Sequence, residues 1–163
     1  MQSDKTPQGH EDYMRLAIAL SQKNVEQGGG GPFGAVIVKD GEIIAQSSNA
    51  VTSSNDPTAH AEVSAIRLAA KALNSFDLSG CVIYTSCEPC PMCLGAIYWS
   101  RISKIFFANT REDAEAIGFD DKLIYEEISR PMSERQLPAE QVLHNEALEV
   151  FQSWKQETNK IHY

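Results

Sequence analysis

Over residues 10–27, Tyr13, Leu16, Ala17, Leu20 and Ser21 recur at helical spacing, which predicts an amphipathic helix. Glycines 28–31 end it. The run Ala35-Val36-Ile37-Val38 reads as a short buried strand, Asp40-Gly41 as a two-residue hairpin turn, and residues 42–49 as the return strand. Residues 51–55 read as a polar loop. Asp56, with Pro57 behind it, is the expected start of the next helix, with Thr58 as an alternative cap; its core-facing stripe is Val63, Ile66, Ala69, Ala70 and Leu73. Val82-Ile83-Tyr84-Thr85 forms a further strand, Pro91 opens a second inner helix that runs through Trp99, and Ile105-Phe106-Phe107 gives another strand. Pro131 and Pro138 break the chain after Ser129, and Leu148, Val150, Phe151 and Trp154 mark a last helix before the tail 159–163. A hairpin followed by alternating helices and strands predicts a layered α/β domain with a mixed sheet, although this pattern does not carry the order of the later strands.

The length of 163 residues suits one compact domain, 1–163, with residues 1–9 as a polar, flexible lead-in. Hydrophobic residues make up 42% of the chain and charged residues 22%, which excludes a disordered chain. The formal net charge of -8 argues against a surface built to neutralise phosphates. No apolar run approaches the roughly 20 residues that cross a bilayer. No signal peptide is visible, so the expected location is the cytoplasm.

Candidate chemistry concentrates in two short segments, His60-Ala61-Glu62 and Pro89-Cys90-Pro91-Met92-Cys93. One imidazole and two thiolates are three ligands for a zinc ion, and catalytic zinc sites keep three protein ligands plus an open position. Cys90 and Cys93 stand three residues apart, which on a helix places both sulfurs on one side. A helix start also favours thiolate over thiol. Glu62, two residues from the imidazole, is placed to reach a zinc-held water without being a ligand. Zinc lowers the pKa of such a water from about 15.7 toward about 7. Glu62 would take that proton and deliver protons to a ring nitrogen and a leaving amine, a role typically worth about 10²–10⁴-fold. His-x-Glu with a downstream Pro-Cys-x-x-Cys is the signature of zinc-dependent nucleobase deaminases. Cys87 also pairs with Cys90 as Cys-x-x-Cys; as a fourth ligand it would close the site and make it structural, and the favoured alternative is a packed thiol behind the ligands. Cys81 reads as core packing.

Taken together, these residues resemble the cytidine deaminase superfamily and, within it, the bacterial guanine deaminases. The resemblance is carried by Gly30-Gly31-Pro32-Phe33-Gly34-Ala35-Val36-Ile37-Val38, by Asn55-Asp56-Pro57-Thr58-Ala59-His60-Ala61-Glu62-Val63, by the stretch from Tyr84 to Trp99 around Cys90 and Cys93, and by Ile117-Gly118-Phe119-Asp120-Asp121. It implies a three-layer α/β/α fold with a five-stranded mixed sheet, one zinc ion per subunit on His60, Cys90 and Cys93, and Glu62 as proton shuttle. It further implies that Phe33 stacks on a purine, that Asn49 hydrogen-bonds it, that Ala61 and Trp99 line its pocket, and that Asp121 moves protons at the amino-bearing carbon. A domain-swapped homodimer is implied as well, in which about 145–163 crosses to the neighbouring subunit and brings Tyr163 to the partner's substrate. On residue type alone, Asn49 and Asp121 read as a turn Asn and a helix-capping Asp.

The implied reaction is hydrolytic deamination of guanine to xanthine and ammonia. Guanosine deamination is the nearest alternative, followed by adenosine deamination in tRNA and by a non-catalytic zinc-stabilised module. His10 and His144 lie among polar residues and are expected at the surface, and His162 carries no assigned role. The glycine run 28–31 lacks the Lys-Ser/Thr of a phosphate loop and precedes a strand, so it reads as a turn. The acidic run Glu112-Asp113-Ala114-Glu115 reads as a solvated helix N-terminus.

Overall fold

A computed structural model describes residues 9–163. The expected lead-in 1–9 therefore lies, apart from Gly9, outside the described residues. The chain divides into two compact units, one ending at Asp121 and the other Lys122–Tyr163.

The first unit begins with α1 (His10–Glu26), followed by the hairpin β1 (Gly34–Lys39) and β2 (Glu42–Ser48). Asp40 and Gly41 both have positive φ, 50° and 82°, the backbone that a two-residue hairpin loop requires. A four-residue helix, α2 (Val51–Ser54), occupies part of the expected polar loop. Then come α3 (Ala61–Leu73), β3 (Cys81–Cys87), α4 (Pro91–Trp99), β4 (Lys104–Asn109) and α5 (Arg111–Ala116). The acidic run does open a helix: Thr110 and Asp113 form a reciprocal capping box at the start of α5.

The sheet is mixed, in the order β2-β1-β3-β4, with β1 antiparallel to both neighbours and β3 parallel to β4. Strand alternation sends Ala35, Ile37, Cys81 and Ile83 to one face, where they pack with Ala61, Ala65, Ala69 and Ile97 of α3 and α4. Val36, Val38 and Tyr84 go to the other face, against Tyr13 and Ala17 of α1. The result is the expected α/β/α layering. The sheet has four strands among the described residues, not the five that the resemblance implied. After β4 the capping box at Thr110 commits the chain to a helix, and Pro131 and Pro138 interrupt the backbone between Ser129 and the last helix, so among the described residues no further strand pairs with β4.

Asp56 does not start α3. Its carboxylate accepts from the Thr58 backbone N–H at 2.8 Å and from the Thr58 hydroxyl at 2.7 Å, which closes a turn. The helix begins one turn later, with His60 as N-cap. His10 is exposed but not solely among polar groups, because its Nδ1 lies 2.7 Å from the Tyr84 hydroxyl and its ring 4.3 Å from that of Phe106.

The second unit holds α6 (Lys122–Ser129), a short 3-10 turn (Met132–Glu134) and α7 (His144–Gln156). The α6 helix was not expected from the sequence. Glu127 organises the turn after α6, accepting from Arg130 at 3.0 Å and from the Gln136 backbone N–H at 2.6 Å. Lys160 Nζ donates to the Trp154 and Lys155 carbonyls at the end of α7, at 3.2 and 2.6 Å. No helix among the described residues is long and apolar enough to cross a membrane.

At Gly34 the sheet lies directly against α1. A Cβ there would run into the Ala17 carbonyl and stand 2.8 Å from Leu20 Cβ and 2.9 Å from Ser21 N. Because two of these three atoms are backbone, Gly34→Ala should cost about 1–3 kcal/mol. Urea unfolding measures it, and an unchanged midpoint would show that α1 does not press on β1.

Candidate metal centre and substrate site

Strand register gathers the site at one end of the sheet. Gly34 pairs with Ser48, Ala35 with Thr85, and Cys87 with Asn109. The start of β1, the end of β2, and the ends of β3 and β4 therefore lie side by side. The segments leaving those ends carry Phe33, Asn49, Cys90 and Thr110. The carboxyl ends of parallel strands are the usual place for a site in an open α/β sheet.

His60 and Cys90 are the N-caps of α3 and α4, both with extended backbone, and neither side chain caps its own helix. A Ser, Thr, Asp or Asn would be the ordinary choice at these positions. The two side chains turn toward each other instead. His60 Nδ1 lies 3.5 Å from Cys90 Sγ and 3.5 Å from Cys93 Sγ. All three donor atoms fall within 4.8 Å of one another. Zinc–sulfur bonds of about 2.3 Å and zinc–nitrogen bonds of about 2.05 Å in a tetrahedron require an S···N edge of ~3.6 Å. The donor set therefore fits zinc in both chemistry and spacing, and three protein donors leave one tetrahedral corner open.

Electrostatics around the donors agree with this. The hydrogen bond from Cys93 and the neighbouring His60 hold the Cys90 thiol well below its usual range. Cys93 is pushed up, first by giving that hydrogen bond and then by burial. The His60 imidazole is raised by its hydrogen bond with Cys90. As a bare donor set Cys93 and His60 thus hold their protons more tightly, and a dication must displace them.

Glu62 sits in the first turn of α3 with only 7% of its surface exposed. Cys93 Sγ lies 3.4 Å from its Oε2. Burial pushes its carboxyl pKa up from the ordinary carboxylate range. Cys87 stands apart from the three-donor group. Its buried Sγ donates to the Thr110 carbonyl at 3.5 Å, and burial raises its pKa to about 11, the behaviour of a packed thiol. Cys81 is fully buried in the core.

Asn49 is buried, and its Oδ1 accepts from the backbone N–H groups of Gly31 and Val51, each at 3.2 Å. Phe33 is half-buried and meets Phe119 edge-on, with ring centroids 4.9 Å apart. Asp121 is half-buried; burial raises its carboxyl pKa, Arg111 opposes that, and Cys90 is close enough to add to it. These residues accompany the metal donors at one end of the unit. The Ala61 side chain is fully buried in the core, so only its backbone can face a ligand. Trp99, at the far end of α4, is 70% exposed. Tyr163 belongs to the second unit and is 74% exposed. Sequence reasoning missed Glu88 and Arg111. The Glu88 carboxylate accepts from the Arg111 backbone N–H at 3.2 Å and lies 3.5 Å from its Nε, tying the Cys90 segment to the start of α5. The signal available was a Glu two residues before a ligand Cys with an Arg opening the next helix.

Three clustered donors at paired helix starts, with a buried carboxyl against them, on an α/β/α frame, define a zinc-dependent hydrolytic deaminase centre. The chain belongs to the family described as the cytidine and deoxycytidylate deaminase zinc-binding region, whose pattern matches residues 7–109. It is 55% identical over 154 residues to a guanine deaminase of Bacillus subtilis, a match covering 94% of this chain and 99% of that one. The X-ray structure of guanine deaminase from Bacillus subtilis superimposes with a TM-score of 0.93 at 54% identity, covering 96% of this chain and 99% of that chain. A tRNA-specific adenosine deaminase of Aquifex aeolicus is 44% identical over 100 residues, covering 61% of this chain and 66% of its own length.

Cys90→Ser and Cys93→Ser should lose most bound zinc, whereas Cys87→Ser should keep about one ion per chain by elemental analysis. Zinc loss from Cys87→Ser would make Cys87 a ligand. Because zinc displaces the protons on Cys93 and His60, its affinity should rise with pH across the neutral range, as read by competition with a chelator. A flat profile would contradict the proton assignment.

Proposed function

We propose that the protein hydrolyses guanine to xanthine and ammonia. The observation that carries this reading is the zinc-fitting cluster of His60, Cys90 and Cys93 with the buried Glu62 carboxyl against it. Support for guanine as substrate comes from similarity along nearly the whole chain to a protein known as guanine deaminase. When bound, zinc supplies Lewis-acid activation of a water molecule. Glu62 takes a proton from the attacking water and returns protons to the ring nitrogen and the departing amine. The Phe33 ring offers a stacking face, worth on the order of 1–3 kcal/mol for a base but little selectivity. With Oδ1 engaged by backbone, Asn49 meets the base through its Nδ2 donor. Asp121 helps move protons at the amino-bearing carbon, its carboxylate accepting a hydrogen bond from the amine that leaves as ammonia, and Ala61 presents backbone at the pocket edge. Trp99 and the partner subunit's Tyr163 complete the enclosure.

The whole chain, 1–163, acts as one deaminase domain in a cytoplasmic homodimer, with about 145–163 exchanged between subunits. A reducing compartment suits its four free cysteines. Support for the exchange lies in α7, whose apolar side chains Leu148, Phe151 and Trp154 recur every three residues and are 40%, 74% and 49% exposed in the single chain. A helix with an apolar stripe needs a partner face.

Ammonia release measured side by side on guanine, guanosine and tRNA tests the substrate. Guanine should be preferred, and activity on tRNA alone would overturn the reading. The net charge of -8 already weighs against tRNA. Glu62→Gln should lower turnover by about 10²–10⁴-fold with zinc retained, and full activity would remove Glu62 from the reaction. Deleting residues 157–163 should impair turnover at unchanged zinc content, whereas unchanged kinetics would contradict the closing role of the tail.

A further inference from the structure

The glycine run 28–31, which reads as a bare turn in the sequence, is built around Asn24 in the last turn of α1. Asn24 is half-buried, and its Nδ2 donates to two backbone carbonyls, Gly31 O at 2.8 Å and Asn49 O at 2.9 Å. Both partners are acceptors only, so the amino end of the carboxamide must face them. The glycines make room for this clamp. A Cβ on Gly29 would collide with Asn24 Oδ1, and one on Gly30 would stand 2.6 Å from Asn49 O and 2.8 Å from its Oδ1. Gly30 also has φ of +154°, a backbone that side chains disfavour.

The two residues whose carbonyls Asn24 holds, Gly31 and Asn49, belong with Phe33 to a closed ring of bonds. Gly31 N donates to Asn49 Oδ1, Asn49 N donates to Phe33 O at 3.1 Å, and Phe33 N donates to Gly31 O at 2.9 Å. Phe33 and Asn49, the groups proposed to stack on the base and bond its edge, therefore hang on one node. Asn49 Oδ1 faces two N–H donors, Gly31 and Val51, which orients its carboxamide with Nδ2 outward.

We propose that Asn24 is a positioning residue: its side-chain amino group locks the 28–31 turn to Asn49, so that Asn49 presents only a donor, and the site selects a base edge carrying an acceptor, a carbonyl oxygen or an unprotonated ring nitrogen. The statement about the base rests on the purine reading above; the clamp itself does not.

The test compares Asn24→Asp, Asn24→Ala and Asn24→Gln in the full chain. Asn24→Asp keeps the shape but sets oxygen against both carbonyls. Amide hydrogen exchange at Gly31 and Val51 should quicken at least tenfold in Asn24→Asp and Asn24→Ala, at unchanged zinc content. The KM for guanine should rise about tenfold or more while kcat stays within about threefold. Asn24→Gln keeps the amino donor and should recover a substantial part of both. Unchanged exchange in Asn24→Asp and Asn24→Ala, or the same loss in Asn24→Gln as in Asn24→Ala, overturns the clamp. Exchange that changes as expected in a protein whose wild type ignores guanine keeps the clamp and removes the substrate reading. Normal guanine turnover with unchanged exchange does the reverse.

Discussion

Helices α3 and α4 each begin on a residue that turns its side chain toward the other helix instead of bonding its own first turn. An N-cap side chain is typically worth about 1 kcal/mol, and here both helices forgo it. In exchange, an imidazole nitrogen and two sulfurs stand at the edge length of a zinc tetrahedron. Bare, this trio has to share protons unevenly, with Cys90 pushed toward thiolate and Cys93 held as thiol. A dication resolves the conflict by satisfying both sulfurs and the imidazole together. The same packing buries Glu62 beside Cys93, and that burial raises its carboxyl pKa, as suits the proton carrier proposed beside the open corner.

The rest of the first unit serves to bring those helix starts together. Antiparallel pairing of β1 with β3 and parallel pairing of β3 with β4 fix which loops emerge at one end of the sheet. The hairpin turn at Asp40-Gly41 lies at the opposite end of β1 from Phe33, so β2 returns to deliver Asn49 beside the start of β1. Packing on one sheet face holds α3 and α4, while α1 covers the other and supplies Asn24 to the glycine turn. The metal donors and the residues proposed to face the base are thus anchored by different elements. They can be disturbed separately.

Most of the first unit was legible because its signals are local. Short apolar runs such as Ala35-Val36-Ile37-Val38 marked the strands, Asp40-Gly41 the hairpin, and Pro91 the start of α4. The start of α3 was misplaced because the best capping residues, Asp56 and Thr58, are used in a turn, and the true N-cap is a ligand with no capping propensity. The number of strands came from family resemblance and was one too many: a capping box at Thr110 redirects the chain into α5, a feature that depends on two residues and carries no hydrophobic period. The α6 helix was missed because its apolar positions, Leu123, Ile124 and Ile128, span little more than one turn between the Gly118 region and Pro131, too short a stretch for a helical period to stand out. The clamp at Asn24 was invisible because its partners are backbone carbonyls 7 and 25 residues away, and carbonyls have no sequence signature.

X-ray absorption at the zinc edge on the metal-loaded protein tests the central claim most directly. The account predicts a first shell of two sulfurs at about 2.3 Å and two lighter atoms, one from His60 and one from solvent, at about 2.0–2.1 Å. A shell of three sulfurs, with Cys87 joining Cys90 and Cys93, would leave no corner for water and would contradict it.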